Sequence, residues 1–397
     1  MNERRLTVVQ VLPELESGGV ERGTLEVAGE LVRRGHRSIV VSGGGRLVEQ
    51  LTAQGSHHVL WPVHRKSLLT LRYVRPMRRL LRDRRADVLH VRSRVPAWVA
   101  YLAWRRMKPA QRPRLVTTCH GLYSVNRYSR VMTRGERVIA ISQTVRRYIT
   151  ENYPATDPQR IRLIYRGIDP AAFPHGYRPT PEWLDRWYSE YPQLRDRPVV
   201  TLPGRLTRYK GHHAFLTMMA RLKQRAPQVR GVIVGGEDKR RRAYAEEIRR
   251  RVFDEGLDNV LLTGHRSDVR EVYAASDAIV SVSSNPPEAF GRTVLEALSL
   301  GVPVVGFDGS GPGEVLGRIL PQGLVAAGDV DALADRVCEF LANPPTVGRN
   351  TTFTLQAMLD QTLDLYQELA SERPGPAPAR PHFATQTNRP HNEQALS

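Results

Sequence analysis

Two blocks of short apolar runs, each run followed by an amphipathic stretch, restrict this chain to parallel-sheet architecture. In the first block the runs are 6–12, 38–42, 87–91, 115–118, 137–142 and 162–165, all rich in Val, Ile and Leu. Helical patterns such as 20–34 and 71–84 fall between them. Continuous apolar runs alternating with helices predict strands buried on both faces, as in a doubly covered parallel sheet. A second block repeats the scheme at 199–203, 231–235, 259–263, 278–283 and 303–307. Two successive βα sheets imply two Rossmann-like α/β domains, with ligand in the cleft at the strands' carboxyl ends. The expected limits are 1–177 and 178–351, with 170–198, rich in Pro and aromatic residues, as the connection. Residues 352–371 predict one amphipathic helix, with Phe353, Leu355, Met358, Leu363 and Tyr366 as its buried positions. The Pro-rich polar tail 373–397 reads as disordered, and Gly43-Gly44-Gly45 as a flexible loop.

The residues with chemical potential fall at the ends of the predicted strands. After the run 278–283, Asn285-Pro286-Pro287 breaks the chain, and Gly291 opens an amphipathic segment that stops before Gly301. Glu288 therefore sits in a loop at a strand's carboxyl end, and Glu296, eight residues on, lies on the following helix. The start of that helix offers unpaired N–H groups and a positive dipole end, suited to a diphosphate. Carboxylates on either side can accept hydrogen bonds from sugar hydroxyls. Arg205 and Lys210 follow the run 199–203, between Gly204 and Gly211. His120 follows 115–118 and precedes Gly121, while Gly18 and Gly19 allow close approach of backbone to a ligand before the helix at Val20. The one D-x-D, Asp329-Val330-Asp331, reads as a helix cap, so charge on a diphosphate falls to fixed cations and no metal ion is expected.

Glu288 and Glu296 together resemble the E-x7-E signature of retaining nucleotide-sugar glycosyltransferases of the GT-B type, family 4. Ser17-Gly18-Gly19-Val20-Glu21-Arg22 looks like that family's first glycine loop, and Thr118-Cys119-His120-Gly121 like its His-Gly motif. Val138-Ile139-Ala140-Ile141-Ser142 and Ile164-Tyr165-Arg166-Gly167-Ile168-Asp169 look like its later amino-half strands. Gly204-Arg205-Leu206 with Lys210-Gly211 looks like the basic pair opening its second domain, and the likeness runs over residues 6–370. It implies a GT-B fold with a deep interdomain cleft, acceptor in the amino half, donor in the carboxyl half, and a last helix returning to the first domain. By the same resemblance Arg205 and Lys210 hold the diphosphate with backbone at Thr293 and Val294, and Glu296 binds the ribose. Glu288, with backbone at Phe290 and Gly291, contacts the transferred sugar. His120 lies beside that sugar and supports an oxocarbenium-like transition state. Gly18 and Gly19 complete the donor site. Retention in this family is explained by front-face return, so Glu288 is not read as a glycosidase-type nucleophile. Members with this opening and a basic amino half often build bacterial surface glycans. The nearest kind is the lipopolysaccharide core hexosyltransferase, which implies UDP and glucose as donor and no cofactor.

Charge bears on the partner. The net charge is +19, and residues 62–134 carry nineteen Arg or Lys against Asp83 and Asp87. Trp61, Tyr73, Trp98, Tyr101 and Trp104 are interleaved with them. Such a basic, aromatic-bearing face suits an anionic glycan or glycolipid acceptor, or the anionic surface of the inner membrane. Generous use of Arg on solvated helices accounts for it equally well. A nucleic-acid-binding protein would also be basic, but helix-turn-helix, RNP and zinc signatures are missing, and no nucleic-acid partner is expected. A non-catalytic nucleotide-sugar-binding protein on the same scaffold is the other alternative. No apolar run approaches the roughly 20 residues that span a bilayer. The amino end leads directly into the first strand without a cleavable signal, and Cys119 and Cys338 are too few for a disulfide framework. A cytoplasmic protein, at the membrane's inner face if the basic surface meets lipid, is the expectation.

Overall fold

The computed structural model describes residues 4–372 apart from Ser17, Lys66, 238–241, Ser284 and Asn285, so the tail 373–397 lies outside the described residues. The first sheet contains β1 (Thr7–Val11), β2 (Arg37–Ser42), β3 (His57–Leu60), β4 (Val88–Val91), β5 (Arg114–Cys119), β6 (Arg137–Ala140) and β7 (Ile161–Leu163). Their order is β3-β2-β1-β4-β5-β6-β7, with every pair parallel. The second contains β8 (Val199–Pro203), β9 (Arg230–Val234), β10 (Val260–Gly264), β11 (Ala278–Ser281), β12 (Val304–Phe307) and β13 (Leu324–Val325). Its order is β10-β9-β8-β11-β12-β13, again all parallel.

Helices α1 (Gly19–Arg33), α2 (Val48–Ala53), α3 (Val74–Asp83), α4 (Arg94–Arg105) and α5 (Gln143–Asn152) belong to the first half. Helices α6 (Pro181–Glu190), α7 (His212–Arg225), α8 (Arg242–Asp254), α9 (Val269–Ala274), α10 (Arg292–Leu300), α11 (Gly311–Ile319) and α12 (Val330–Ala342) belong to the second, and α13 (Leu355–Ser371) ends the described chain. The strand order reverses between β1 and β4 and between β8 and β11. Loops diverge at such switch points and leave a crevice at the carboxyl ends of the strands. This is the two-domain GT-B architecture.

Two expected elements are corrected. The segment 170–198 is not only a connection: Pro181 begins α6, whose N-cap Thr180 accepts a hydrogen bond from Trp183 N. Proline at the first helical position is compatible with a helix, and Trp183 and Trp187, one turn apart, bury against Val199, Val232 and Val234 of the second domain. Gly43-Gly44-Gly45 is a packed turn, because Gly43 N donates to Pro13 O and Gly44 O accepts from Leu15 N. Gly45 has φ +132°, and a Cβ there would lie 2.4 Å from Leu15 O. Strands β3 and β13 went unforeseen. Both are edge strands, β3 with no fully buried position and β13 only two residues long, so neither needs a long apolar run.

Helix α13 returns to the first domain. Met358, Leu359, Leu363, Tyr366 and Leu369 pack on Leu6, Val8, Val27, Val88 and Val116, while Leu355 is only partly buried at the helix start. Phe353 lies just before the helix and makes edge contacts with Tyr165 (5.0 Å between centroids) and Phe290 (6.0 Å), one from each domain. Deeper in, the fully buried His90 on β4 bonds Tyr366 Oη through Nδ1 (2.6 Å) and Thr118 Oγ1 through Nε2 (2.6 Å). The returning helix is thereby joined to β5, the strand that leads to His120. Tyr366→Phe leaves a buried imidazole nitrogen unsatisfied and should cost about 1–3 kcal/mol, read as a lower urea midpoint with unchanged far-ultraviolet circular dichroism.

Candidate active site

The crevice between the domains is a cavity of ≈ 490 Å³. Gly19, His120 and Arg166 line it from the first domain, and Arg205, Glu288 and Arg292 from the second. Each stands on the loop or helix start that follows a strand, as a parallel topology requires. Of the anticipated residues, Phe290 also lines the cavity. Gly18 is the N-cap of α1 and Gly291 the N-cap of α10, with Thr293 and Val294 in the first turn of α10. Among the described residues the amides of Thr293 and Val294 meet no acceptor, whereas Arg292 N donates to Phe290 O and Leu295 N to Gly291 O. Two donors therefore remain at the positive end of the helix. Lys210 and Glu296 lie just behind the cavity wall, each bonded to a residue that lines it.

Charge pairing organises the second-domain side. Lys210 Nζ donates to Glu288 Oε2 at 2.8 Å, and Ser283 Oγ donates to the same oxygen at 3.0 Å. This contact depends on Gly211, at φ +76°, because a Cβ there would fall 2.0 Å from Val282 O. Without a side chain the β8 loop closes onto the end of β11, and Lys210 reaches Glu288. An ammonium has three donors, so Lys210 can hold Glu288 and still offer a proton to a phosphate. Arg205 is exposed in the cavity wall and holds no ion pair among the described residues. Glu296 is 7% exposed and accepts from Arg292 Nε at 2.9 Å. Burial pushes its pKa above the usual carboxylate range, against the opposing pull of Arg292.

The first-domain side is cationic. His120 is held neutral: burial pushes its pKa well below the ordinary histidine value, helped by the charges of Arg92 and Arg166. Its Nε2 has no hydrogen-bond partner among the described residues, and its backbone N donates to Tyr123 Oη at 3.2 Å. Arg166 was not foreseen as a site residue. Its Nη2 donates to Gly19 O at 2.9 Å and stands 3.7 Å from Glu26, and burial lowers its pKa to about 10. The signal was an arginine directly after a predicted strand in Ile164-Tyr165-Arg166-Gly167. Arg292 and Ser283 were missed because each acts by fixing a glutamate, and such pairing is invisible before the chain folds.

Both carboxylates of Asp329-Val330-Asp331 are engaged. Asp329 caps α12 by accepting from Ala332 N (2.9 Å), and Asp331 pairs with Arg221 (2.9 Å). Among the described residues no three His, Cys, Asp or Glu side chains stand where they could hold a metal ion. No described helix is long and apolar enough to cross a membrane. Most aromatic residues of the basic region are at least half-buried. Trp61 stacks on Tyr73 (5.8 Å), Tyr101 is buried against Trp104, and Arg112 lies over Trp104 (4.8 Å). What projects instead is Leu68 (84% exposed), Leu69 (73%) and Leu71 (44%), next to the exposed Arg72 and Arg75.

Residues 17–172 match the family described as Glycosyltransferase Family 4, and residues 187–352 match Glycosyl transferases group 1. A crystal structure of a glycosyltransferase from Rickettsia africae is 28% identical and superposes with a TM-score of 0.80, covering 93% of this chain and 100% of its own. Anabaena HepE, solved in complex with UDP and glucose, shares the fold at 21% identity and TM-score 0.70, covering 93% of this chain and 95% of that one. Among curated proteins, the α-maltose-1-phosphate synthase of Mycobacterium tuberculosis is 28% identical over 59% of this chain. The chain spans less than two thirds of that relative's length, 63%. The lipopolysaccharide core mannosyltransferase LpsB of Rhizobium meliloti is 32% identical over 36% of this chain and 41% of its own.

Removing Arg292 should make the cost of the buried Glu296 charge visible. A carboxyl whose folded pKa is raised favours the fold at low pH and loses that contribution as pH rises through the folded pKa. Arg292→Ala raises that pKa further. The variant should therefore unfold close to wild type near pH 4 and at progressively lower urea than wild type towards pH 7. In the same pH series, NMR of the imidazole nitrogens should show His120 neutral throughout pH 6–8.

Proposed function

The chain belongs to the family 4 glycosyltransferases of the GT-B fold, and from that premise we propose that it transfers glucose from UDP-glucose to a phosphorylated bacterial glycan such as lipopolysaccharide core. The transfer retains anomeric configuration and uses no metal ion or other cofactor. The observation that carries this reading is Glu288, fixed by Lys210 and Ser283 in the cavity wall that it shares with His120.

Arg205, the free donors of Lys210 and the amides of Thr293 and Val294 supply positive charge for the diphosphate. That charge grows on the leaving group as the glycosidic bond breaks, and fixed cations in a crevice stabilise it without reorganising. Glu296 accepts from the ribose hydroxyls, and Arg292 favours its ionised form. Glu288, with backbone at Phe290 and Gly291, accepts from hydroxyls of the sugar. A neutral His120 places a lone pair beside the ring that becomes oxocarbenium-like and adds no opposing cation. The helix start at Gly18 and Gly19 lets backbone approach from the acceptor half. The leaving phosphate oxygen takes the proton of the attacking acceptor hydroxyl on the same face, which returns the new bond to the original side.

HepE, bound to UDP and glucose, supports the donor, and LpsB supports a lipopolysaccharide acceptor. LpsB is a mannosyltransferase, which favours mannose from GDP-mannose as the second reading. The cationic first domain suits an acceptor that carries phosphates. The projecting Leu68, Leu69 and Leu71 beside Arg72 and Arg75 suit shallow contact with an anionic membrane that holds a lipid-linked acceptor.

The deciding assay is nucleoside diphosphate release from UDP-, GDP- and ADP-sugars, with and without lipopolysaccharide core and with and without EDTA. Release from UDP-glucose that rises with acceptor and ignores EDTA is expected, with an α-linked product by NMR. Release from GDP-mannose alone selects the second donor, and EDTA sensitivity refutes the metal-free reading. Glu288→Ala should lower kcat about 100-fold or more while UDP still binds. Donor affinity should weaken with acidification at a higher pH than an ordinary glutamate would give, a step that Glu296→Gln abolishes. Leu68→Glu with Leu69→Glu should release the protein from phosphatidylglycerol vesicles in sedimentation.

A further inference from the structure

Between the domains, away from the donor-binding groups, a carboxylate of one domain completes the helix cap of the other. Helix α5 in the first domain begins with Ser142 as N-cap, whose Oγ accepts from Val145 N at 3.0 Å. That leaves the first two amides of α5 without a partner from their own helix. Glu314, on α11 of the second domain, takes both: Gln143 N donates to Oε1 at 2.9 Å and Thr144 N to Oε2 at 3.1 Å. Tyr165 Oη, also in the first domain, donates to Oε1 at 2.7 Å, and Arg318 Nη2 bonds that phenol at 3.0 Å. A carboxylate at a helix amino terminus meets both unpaired N–H groups and the positive end of the dipole. Here charge and donors come from different domains, so the contact exists only when the domains are together.

The same helix α11 is joined to the loop that bears Glu288. Gly311 N donates to Glu288 O at 2.8 Å, and the approach is so close that a Cβ on Gly311 would lie 2.4 Å from the carbonyl carbon of Ala289. A Cβ on Gly291 would lie 2.5 Å from Cα of Pro312. From the other side the buried Ser142 Oγ donates to Ala289 O at 2.6 Å. The loop 288–291 is therefore held between the amino ends of α11 and α5, and Glu314 bridges those two ends.

We propose that Glu314 is a positioning residue, which makes placement of the Glu288 loop opposite His120 conditional on closure of the two domains. The groups assigned to the nucleotide and diphosphate, Arg205, Lys210, Arg292 and Glu296, all stand on the second domain and do not need α5. His120 stands on the first domain. Loss of the Glu314 bridge thus leaves nucleotide binding in place and separates the two sides of the crevice. The consequence for turnover rests on the transferase reading above, whereas the closure itself does not.

Glu314→Gln and Glu314→Ala test this with the full-length protein. A glutamine keeps the size, but its NH2 group opposes one of the two amides, and Glu314→Asp shortens the reach by one methylene. In Gln and Ala, amide exchange of peptides covering 142–146 should accelerate, and small-angle scattering should show a larger radius of gyration. The kcat should fall about tenfold or more, with UDP affinity by calorimetry within about threefold of wild type and circular dichroism unchanged. Asp should lie between. Unchanged exchange and scattering in both variants would overturn the proposal, as would wild-type kcat in an opened variant. If wild type turns over no donor tested, the transferase reading fails, and exchange and scattering still decide the role of Glu314. Should Ala misfold, Gln carries the test.

Discussion

The site depends on the pairing of carboxylates with cations at the edge of the crevice. Glu296 is buried and Glu288 half-buried in the crevice wall, and a carboxylate drawn out of water is stabilised by a positive charge or several donors. Lys210 and Ser283 serve Glu288, and Arg292 serves Glu296. Glu288 is thereby aimed with two contacts on one oxygen, and among the described residues the other makes no hydrogen bond. Burial pushes the Glu296 pKa up, and Arg292 opposes that shift. Across the crevice burial, helped by the charges of Arg92 and Arg166, pushes the His120 pKa well below the ordinary histidine value.

These contacts are possible because parallel sheets deliver every strand's carboxyl end to one edge. Loops after β1, β5, β8 and β11 bring Gly19, His120, Arg205 and Glu288 to a common cavity from separate stretches of chain. Close backbone approaches then set the distances. Gly211 lets the β8 loop meet β11, and Gly311 lets α11 meet the Glu288 loop. A methyl group at either place would displace the loop that carries a charged partner. The closing helix α13 adds a support from behind, through Tyr366, His90 and Thr118, to the strand that ends at His120.

Most strands were legible because a buried parallel strand needs a run of Val, Ile and Leu, and such runs are local. The exceptions were edge strands. His57–Leu60 has one neighbouring strand and exposed ends, and Leu324–Val325 is too short to show a pattern. Helix α6 was obscured by Pro181 and by tryptophans that read as loop composition until their shared face met the second sheet. The basic region misled in another way. Its aromatic residues looked exposed in a hydrophilic stretch, but Tyr101 is buried, Trp61, Tyr73, Trp98 and Trp104 are half-buried, and three leucines project beside them.

The amino-acid sequence by itself determined the two-sheet architecture, the strand-end positions of His120, Arg205, Lys210 and Glu288, and the helix start beside Glu296. All of these follow from periodicities and turn signals within about ten residues of one another. Only the tertiary structure decided which partner each charge meets: Lys210 with Glu288 across 78 residues, Arg166 with the Gly19 carbonyl across 147, Glu314 with the Gln143 amide across 171. Those pairings depend on the order of strands within each sheet and on how one domain meets the other. Contacts so distant along the chain leave no local pattern, because a lone charged residue looks the same whether water or a partner satisfies it.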